Sequence, residues 1–274
     1  GMLRQFIPAL LKDNTTLMVN DPDYASRLRG LGNDQLVDAM LSGNWDLSDS
    51  TAIPNWKNEV HVIPKSDIPI TWNIYRAYDY GFSAPYAVLF YTKCNGEEFT
   101  DSEGHKRCPP KGSIIICGEI YGADEYGSGI KENVTRTARK ITEKSATFAR
   151  PVNPGPADNA IFDREQGPSI SDRMKMNWLR SNKNPGSRIR GLGIVNDMVN
   201  EANRPTREMP GRPEQPCLYV MSHCIHTIDQ LPNLQLGEDS EDVDTESEDH
   251  IYDVVRYIVL HAEHNVTVSK VQGL

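Results

Sequence analysis

Residues 71–81 read Thr-Trp-Asn-Ile-Tyr-Arg-Ala-Tyr-Asp-Tyr-Gly, an aromatic-rich run that closes on an acid and a glycine. Side chains of this kind fit a pleated, half-buried strand, so residues 71–79 are expected to form one, followed by a turn over Gly81–Pro85. Asp79 stands where that strand ends. An aspartate there either caps the turn with its own side chain or is delivered to a site beyond the sheet edge. Residues 86–94 (YAVLFYTKC) predict a second strand, with the hairpin signal Asn95-Gly96 behind it and a polar excursion over 97–112. Residues 113–121 (SIIICGEIY) predict a third. Further on, the pattern predicts a helix over 128–145, a fourth strand over 146–152, helices over 170–181 and 188–203, and a Pro-rich loop over 204–216. A short strand over 217–221 and a helix over 249–263, with the stripe Ile251, Val254, Val255, Ile258 and Val259, close the chain. The class is α/β: a mixed sheet of five or more strands flanked by helices.

Two more acidic clusters lie beside apolar runs: Gly155-Pro156-Ala157-Asp158-Asn159, and Glu248-Asp249-His250-Ile251-Tyr252-Asp253 at the start of the last helix. Carboxylates from the ends of separate elements suit hard cations such as Mg²⁺ or Mn²⁺. Two such ions about 3.5–4 Å apart can clamp the attacking and leaving oxygens of a phosphodiester. Asp158 competes with Asp163, and either is also a turn or cap residue. Asp253 lies opposite the apolar stripe with Asp249 one turn earlier, so periodicity alone puts both on a solvated face. His250 is either a first-turn surface residue or a group that positions water, protonates a leaving oxygen or ligates a metal. Asp249 is a partner to that site or a charge favoured by the helix dipole. Glu119 alternates away from Ile114, Ile116 and Ile120, which leaves it free to face the site.

The 274 residues allow one large domain, or one with an appendage, and 38% hydrophobic content is that of a globular chain. No apolar run approaches the roughly 20 residues that span a bilayer, and no signal peptide is seen, so a soluble cytoplasmic protein without membrane contact is expected. Five cysteines at irregular spacings argue for reduced thiols. Cys94, His105 and Cys108 lack the CxxC pairing of a zinc site. No GxxxxGK[ST] loop occurs, which excludes a complete P-loop ATPase. The net charge of −9 is uneven: residues 238–249 carry eight carboxylates, whereas 131–190 carry thirteen Lys or Arg against six Asp or Glu. That basic stretch is either a solvated face or a track for a phosphate backbone, with Arg180, Lys183, Arg188 and Arg190 as its candidate contacts. The acidic run is either a loop or a mimic of nucleic-acid charge.

In combination and in this order, Tyr75-Arg76-Ala77-Tyr78-Asp79-Tyr80-Gly81, Pro154-Gly155-Pro156-Ala157-Asp158, and Glu248-Asp249-His250 through Asp253, Arg256 and Tyr257 resemble the C-terminal nuclease domain of tailed-bacteriophage terminase large subunits. Phe6-Ile7-Pro8-Ala9 to Asp13-Asn14, Asp21-Pro22-Asp23-Tyr24 and Gly43-Asn44-Trp45-Asp46 resemble that family's segment between ATPase and nuclease. Leu28, Leu31, Leu36, Val37, Met40 and Leu41 stand at helical spacings, and the resemblance implies a small helical appendage over residues 1–66 and a ribonuclease H-like domain over 67–274. It implies a metal-dependent endonuclease acting on concatemeric double-stranded DNA in the bacterial host, with Asp79, Asp158 and Asp253 holding two Mg²⁺ or Mn²⁺ ions. It also implies the ATPase domain, the small terminase subunit and the portal protein as partners, the ATPase half being absent from this sequence. A junction resolvase or transposase of the same fold, or a non-catalytic portal-docking module, are the rival readings.

Overall fold

The computed structural model describes residues 21, 51–124, 127–164, 167–203, 213–237, 241–244 and 248–264. The helical spacings at 28–41 and the motifs before residue 51, apart from Asp21, lie outside the described residues.

The strands are β1 (Val62–Ile63), β2 (Ile74–Asp79), β3 (Ala87–Lys93), β4 (Phe99–Thr100), β5 (Lys106–Arg107), β6 (Ile114–Tyr121), β7 (Val152–Ala157), β8 (Leu179–Arg180) and β9 (Leu218–Met221). Helices are α1 (Asn58–His61), α2 (Val134–Ser145), α3 (Ile170–Met174), α4 (Ser187–Ala202), α5 (Ile225–Asn233) and α6 (His250–His264). A 3-10 turn spans Asn159–Phe162. Seven strands form one sheet in the order β1-β9-β6-β3-β2-β7-β8, and β3 alone runs against the others. The expected α/β class with a mixed sheet is what the chain adopts. β4 and β5 form a small separate hairpin within the polar excursion. Asn95-Gly96 therefore does not turn β3 directly onto its neighbour; it starts the detour that returns as β6.

Alternation along β2 separates two cores. Ala77 faces a core shared with α4, α5 and α6, whereas Ile74 and Tyr78 face one built with α2, α3 and the 3-10 turn. Asp79 shares the Ala77 face by the same two-residue period, which turns it toward α6. That helix covers the middle of the sheet and is flanked by α4 and α5, so Ile251, Tyr252, Val254, Val255, Tyr257, Ile258, Val259 and Leu260 are all buried. The solvated face expected for α6 is thus an interior face.

Several expected elements are displaced. Residues 146–151 do not form the fourth strand; β7 begins at Val152 and runs through Pro154, Gly155 and Pro156. Prolines weaken a strand because they lack an N–H, and here they coincide with a register shift against β2 between Arg76 and Tyr78. A Cβ on Gly155 would stand 2.3 Å from the Arg76 carbonyl oxygen, so only glycine lets the strands approach. The helix expected from 128 begins at Val134, capped by the Asn133 side chain. The helix expected over 170–181 stops at Met174, where Lys175 takes a left-handed conformation with φ of 53°, and Leu179–Arg180 becomes an edge strand. α5 has no counterpart in the sequence pattern, since Pro232 inside it is a breaker in sequence terms. Residues 51–63, expected in the appendage, supply β1 and the core residues Ala52 and Ile53.

Candidate metal centre

Asp79 ends β2 and Asp158 follows β7, and these are neighbouring parallel strands with Tyr78 paired to Ala157. The Asp158 amide donates to the Tyr78 carbonyl at 2.9 Å. Both acids therefore leave the carboxyl ends of adjacent strands, the usual position of ligand sites in α/β sheets. α6 crosses above them and contributes His250, Asp253, Arg256 and Tyr257.

Asp79 is buried, at 5% exposure. Its Oδ2 lies 3.3 Å from His250 Nδ1 and its Oδ1 lies 3.2 Å from the Tyr257 hydroxyl. The same hydroxyl lies 3.3 Å from Asp253 Oδ2. A phenol has one proton and can serve one carboxylate at a time. Burial above all, helped by the charges of Asp253 and Asp158 and opposed by the His250 bond, raises the Asp79 carboxyl to about 6. The bond to Asp79 raises His250 above the ordinary imidazole range despite its burial. Burial, with Asp253 nearby, likewise raises Asp249.

Among the described residues, three basic side chains bring positive charge to this cluster. Arg256 donates to Asp253 Oδ1 through Nε at 3.1 Å and Nη2 at 2.8 Å. Arg188 lies 3.7 Å from Asp253 and 3.5 Å from Asp249, and donates to Asp242 at 2.7 Å. Lys183 donates to Asp158 Oδ1 at 2.6 Å, its ammonium 5.5 Å from the centre of the Tyr257 ring. Gly191 on α4 allows this close packing, because a Cβ there would stand 2.5 Å from Arg256 Cγ.

Asp79, Asp253, His250 and Asp249 are thus brought together, with Asp158 at their edge. Glu119 is elsewhere. A register shift in β6 between the partners of Phe90 and Tyr91 sets it opposite Leu89, on the same sheet face as Asp79 but under α5. There its carboxylate accepts from the His226 and Thr227 amides and the Thr227 hydroxyl, capping α5. Arg180 stacks on the Phe162 ring, and Arg190 is exposed on α4. Tyr257 and Arg256 carry no role in the sequence reading. Their positions four and three residues after Asp253 put all three on one helical face, which is the signal that finds them.

Hard divalent cations take oxygen ligands, and the buried carboxylate of Asp79 beside the half-buried one of Asp253 is a donor set that fits one. Among the described residues, no three His, Cys, Asp or Glu side chains stand close enough to hold a metal ion together. Asp158 is the residue out of place. Its Oδ1 accepts from Lys183 at 2.6 Å and from the Ala160 amide at 3.0 Å.

No family model matches the sequence, and no curated protein matches it. Solved structures do match. The large terminase of a thermophilic bacteriophage, in its complex with ATP-gamma-S, aligns with a TM-score of 0.55 and 13% identity, over 92% of this chain and 54% of that one. Another crystal structure of the same phage protein aligns with a TM-score of 0.53 and 14% identity, over the same shares. A weaker likeness, with a TM-score of 0.49 and 12% identity, runs to the P22 large terminase nuclease domain, covering 75% of this chain and 89% of that one. The likeness to the thermophilic phage protein establishes a shared fold, in agreement with the class that the motifs implied. The chain spans about half the length of the thermophilic phage structures it matches. Among the described residues, no helix is long and apolar enough to cross a membrane.

Proposed function

We propose that this chain is the nuclease part of a DNA-packaging terminase, a metal-dependent endonuclease that cuts double-stranded viral DNA in the bacterial host. The observation that carries the reading is the convergence of Asp79 and Asp253 on the Tyr257 hydroxyl, at the carboxyl end of β2, in a chain that shares its fold with a phage large terminase. Asp79 and Asp253, joined by Asp158, would hold two Mg²⁺ or Mn²⁺ ions. Such ions lower the pKa of an attacking water and stabilise the departing oxygen.

The chain's own residues do the rest. Tyr257 spaces the two carboxylates, and Arg256 fixes the Asp253 rotamer through two bonds to one oxygen. His250 keeps its proton to higher pH through Asp79, which suits it to hold a proton beside the reacting phosphate. Arg180, Lys183, Arg188 and Arg190 would meet backbone phosphates, contacts that carry affinity without reading sequence. Lys183 and Arg188 would first have to leave Asp158 and Asp242. The ATPase domain, the small terminase subunit and the portal protein are the partners this reading implies.

Cleavage of supercoiled plasmid with Mn²⁺, Mg²⁺ or EDTA, run beside Asp79→Asn, tests it. Metal-dependent nicking and linearisation that vanish in the variant support the nuclease. No cleavage by a folded sample with either ion refutes it for this chain. A second, non-catalytic reading, a portal-docking module, is favoured by the pairing of Asp158 and Asp253 with Lys183 and Arg256. It predicts no cleavage and no stabilisation by divalent ions.

A further inference from the structure

Beside Asp253, a cleft of about 440 Å³ opens at the start of α4. Lys183, Arg188 and Arg256 line it, and they face Asp253 and Asp242. Asp242 belongs to the acidic run but is held in place rather than loose. Its neighbour Val243 is buried in the core, Leu236 bridges to Val243, and the Gly237 amide donates to the Asp242 carbonyl at 2.9 Å. The carboxylate is fixed at both oxygens, with Oδ1 accepting from the Val243 amide at 2.8 Å and Oδ2 from Arg188 Nε at 2.7 Å. Arg188 Nη2 donates to the Val243 carbonyl at 3.3 Å. The Nε–Nη2 edge of Arg188 is therefore filled by two oxygens of the chain itself. That edge of a guanidinium is shaped for the paired oxygens of a carboxylate or phosphate.

We infer that this cleft is a phosphate-binding subsite for the DNA backbone and that Asp242 fills it as a built-in surrogate. The inference rests on the nuclease reading for its ligand. Arg188 is the moving part. Its long side chain leaves the first turn of α4, whereas Asp242, about equally exposed, is tied to the core through Val243. Swinging Arg188 from Asp242 to a backbone phosphate exchanges one anion for another and draws it away from Asp249 and Asp253 as well. Because Asp253 lines the same cleft, a phosphate held there sets the neighbouring phosphodiester beside the carboxylates. The acidic residue thereby weakens DNA binding until Arg188 is released from it.

The test is binding of a fluorescein-labelled duplex to the full chain, by anisotropy in EDTA at low salt, so that no cleavage intervenes. Asp242→Asn keeps the acceptor for the Val243 amide and removes the charge facing Arg188. It is expected to tighten binding by about three- to tenfold. Arg188→Gln weakens binding, and adding Asp242→Asn to Arg188→Gln then gives no gain. Glu241→Gln, the same charge change at an exposed neighbour, leaves affinity within about twofold. Three results overturn the inference: unchanged affinity in a folded Asp242→Asn variant, an equal gain in the Arg188→Gln background, or an equal gain from Glu241→Gln. Since nothing is cleaved, a failed plasmid assay would sink the nuclease reading without touching this outcome.

Discussion

The carboxylates of Asp79 and Asp253, 174 positions apart in sequence, share one hydroxyl donor: Tyr257 Oη lies 3.2 Å from the first and 3.3 Å from the second. One proton cannot satisfy both, and the burial of Asp79 keeps out water that would screen the pair. The site thus holds like charges together at the expense of stability, a common property of functional sites.

Asp79→Asn is expected to abolish cleavage while stabilising the fold at neutral pH. The sign follows from the raised folded-state value of about 6, against an unfolded carboxylate near 4. A raised carboxyl favours folding below its unfolded value, and that advantage is lost as pH climbs through about 6. Thermal melts in EDTA should show the variant more stable at pH 8 by on the order of 2–3 kcal/mol, with the gap closing toward pH 4. A constant gap across that range would contradict the burial argument.

Tyr257→Phe removes the shared donor and leaves two facing carboxylates. It should destabilise the protein in EDTA by about 1–2 kcal/mol. Added Mn²⁺ should restore a larger part of that loss than it adds to the parent protein. Melting temperatures with and without the ion provide the check, and equal metal responses would remove Tyr257 from the site.

Gly191→Ala and Gly193→Ala make opposite predictions on the same helix. Alanine is the better helix former by about 1 kcal/mol, and Gly193 has nothing within 4 Å of its added Cβ, so that variant should gain stability. At Gly191 the methyl would stand 2.5 Å from Arg256 Cγ, and a net loss of about 1–3 kcal/mol is expected. Urea unfolding of both variants measures the difference.

Glu119→Ala should lower stability by about 1–2 kcal/mol through loss of the α5 cap. Cleavage per folded molecule should stay within about twofold of the parent, since the carboxylate serves His226 and Thr227 and not the acidic cluster. A large loss of activity in the folded variant would return Glu119 to the site.

Much of this molecule is written locally. The aromatic strand ending at Asp79, the strands 86–94 and 113–121, and the helices 188–203 and 249–263 all follow from side-chain period and cluster boundaries, because a two- or 3.6-residue repeat is a property of neighbours in the chain. The order of the three acidic motifs was legible for the same reason. What local pattern misjudged are places where a distant partner outweighs propensity. Pro154 and Pro156 lie in a strand because Gly155 lets it close on Arg76. Pro232 sits within α5. Asp253, on a face that periodicity assigns to solvent, is half-buried because α4 and α5 flank α6.

Residue type and spacing alone are enough for the α/β class and for which carboxylates stand at element ends. Which charges meet is a different kind of fact, and it belongs to the folded chain. Packing set Tyr257 between Asp79 and Asp253, gave Asp158 to Lys183, gave Asp242 to Arg188 and sent Glu119 to α5. Those pairings depend on strand order, a register shift and the approach of one helix to another. Each is fixed by contacts across the whole chain, and none leaves a trace in the spacing of neighbouring residues.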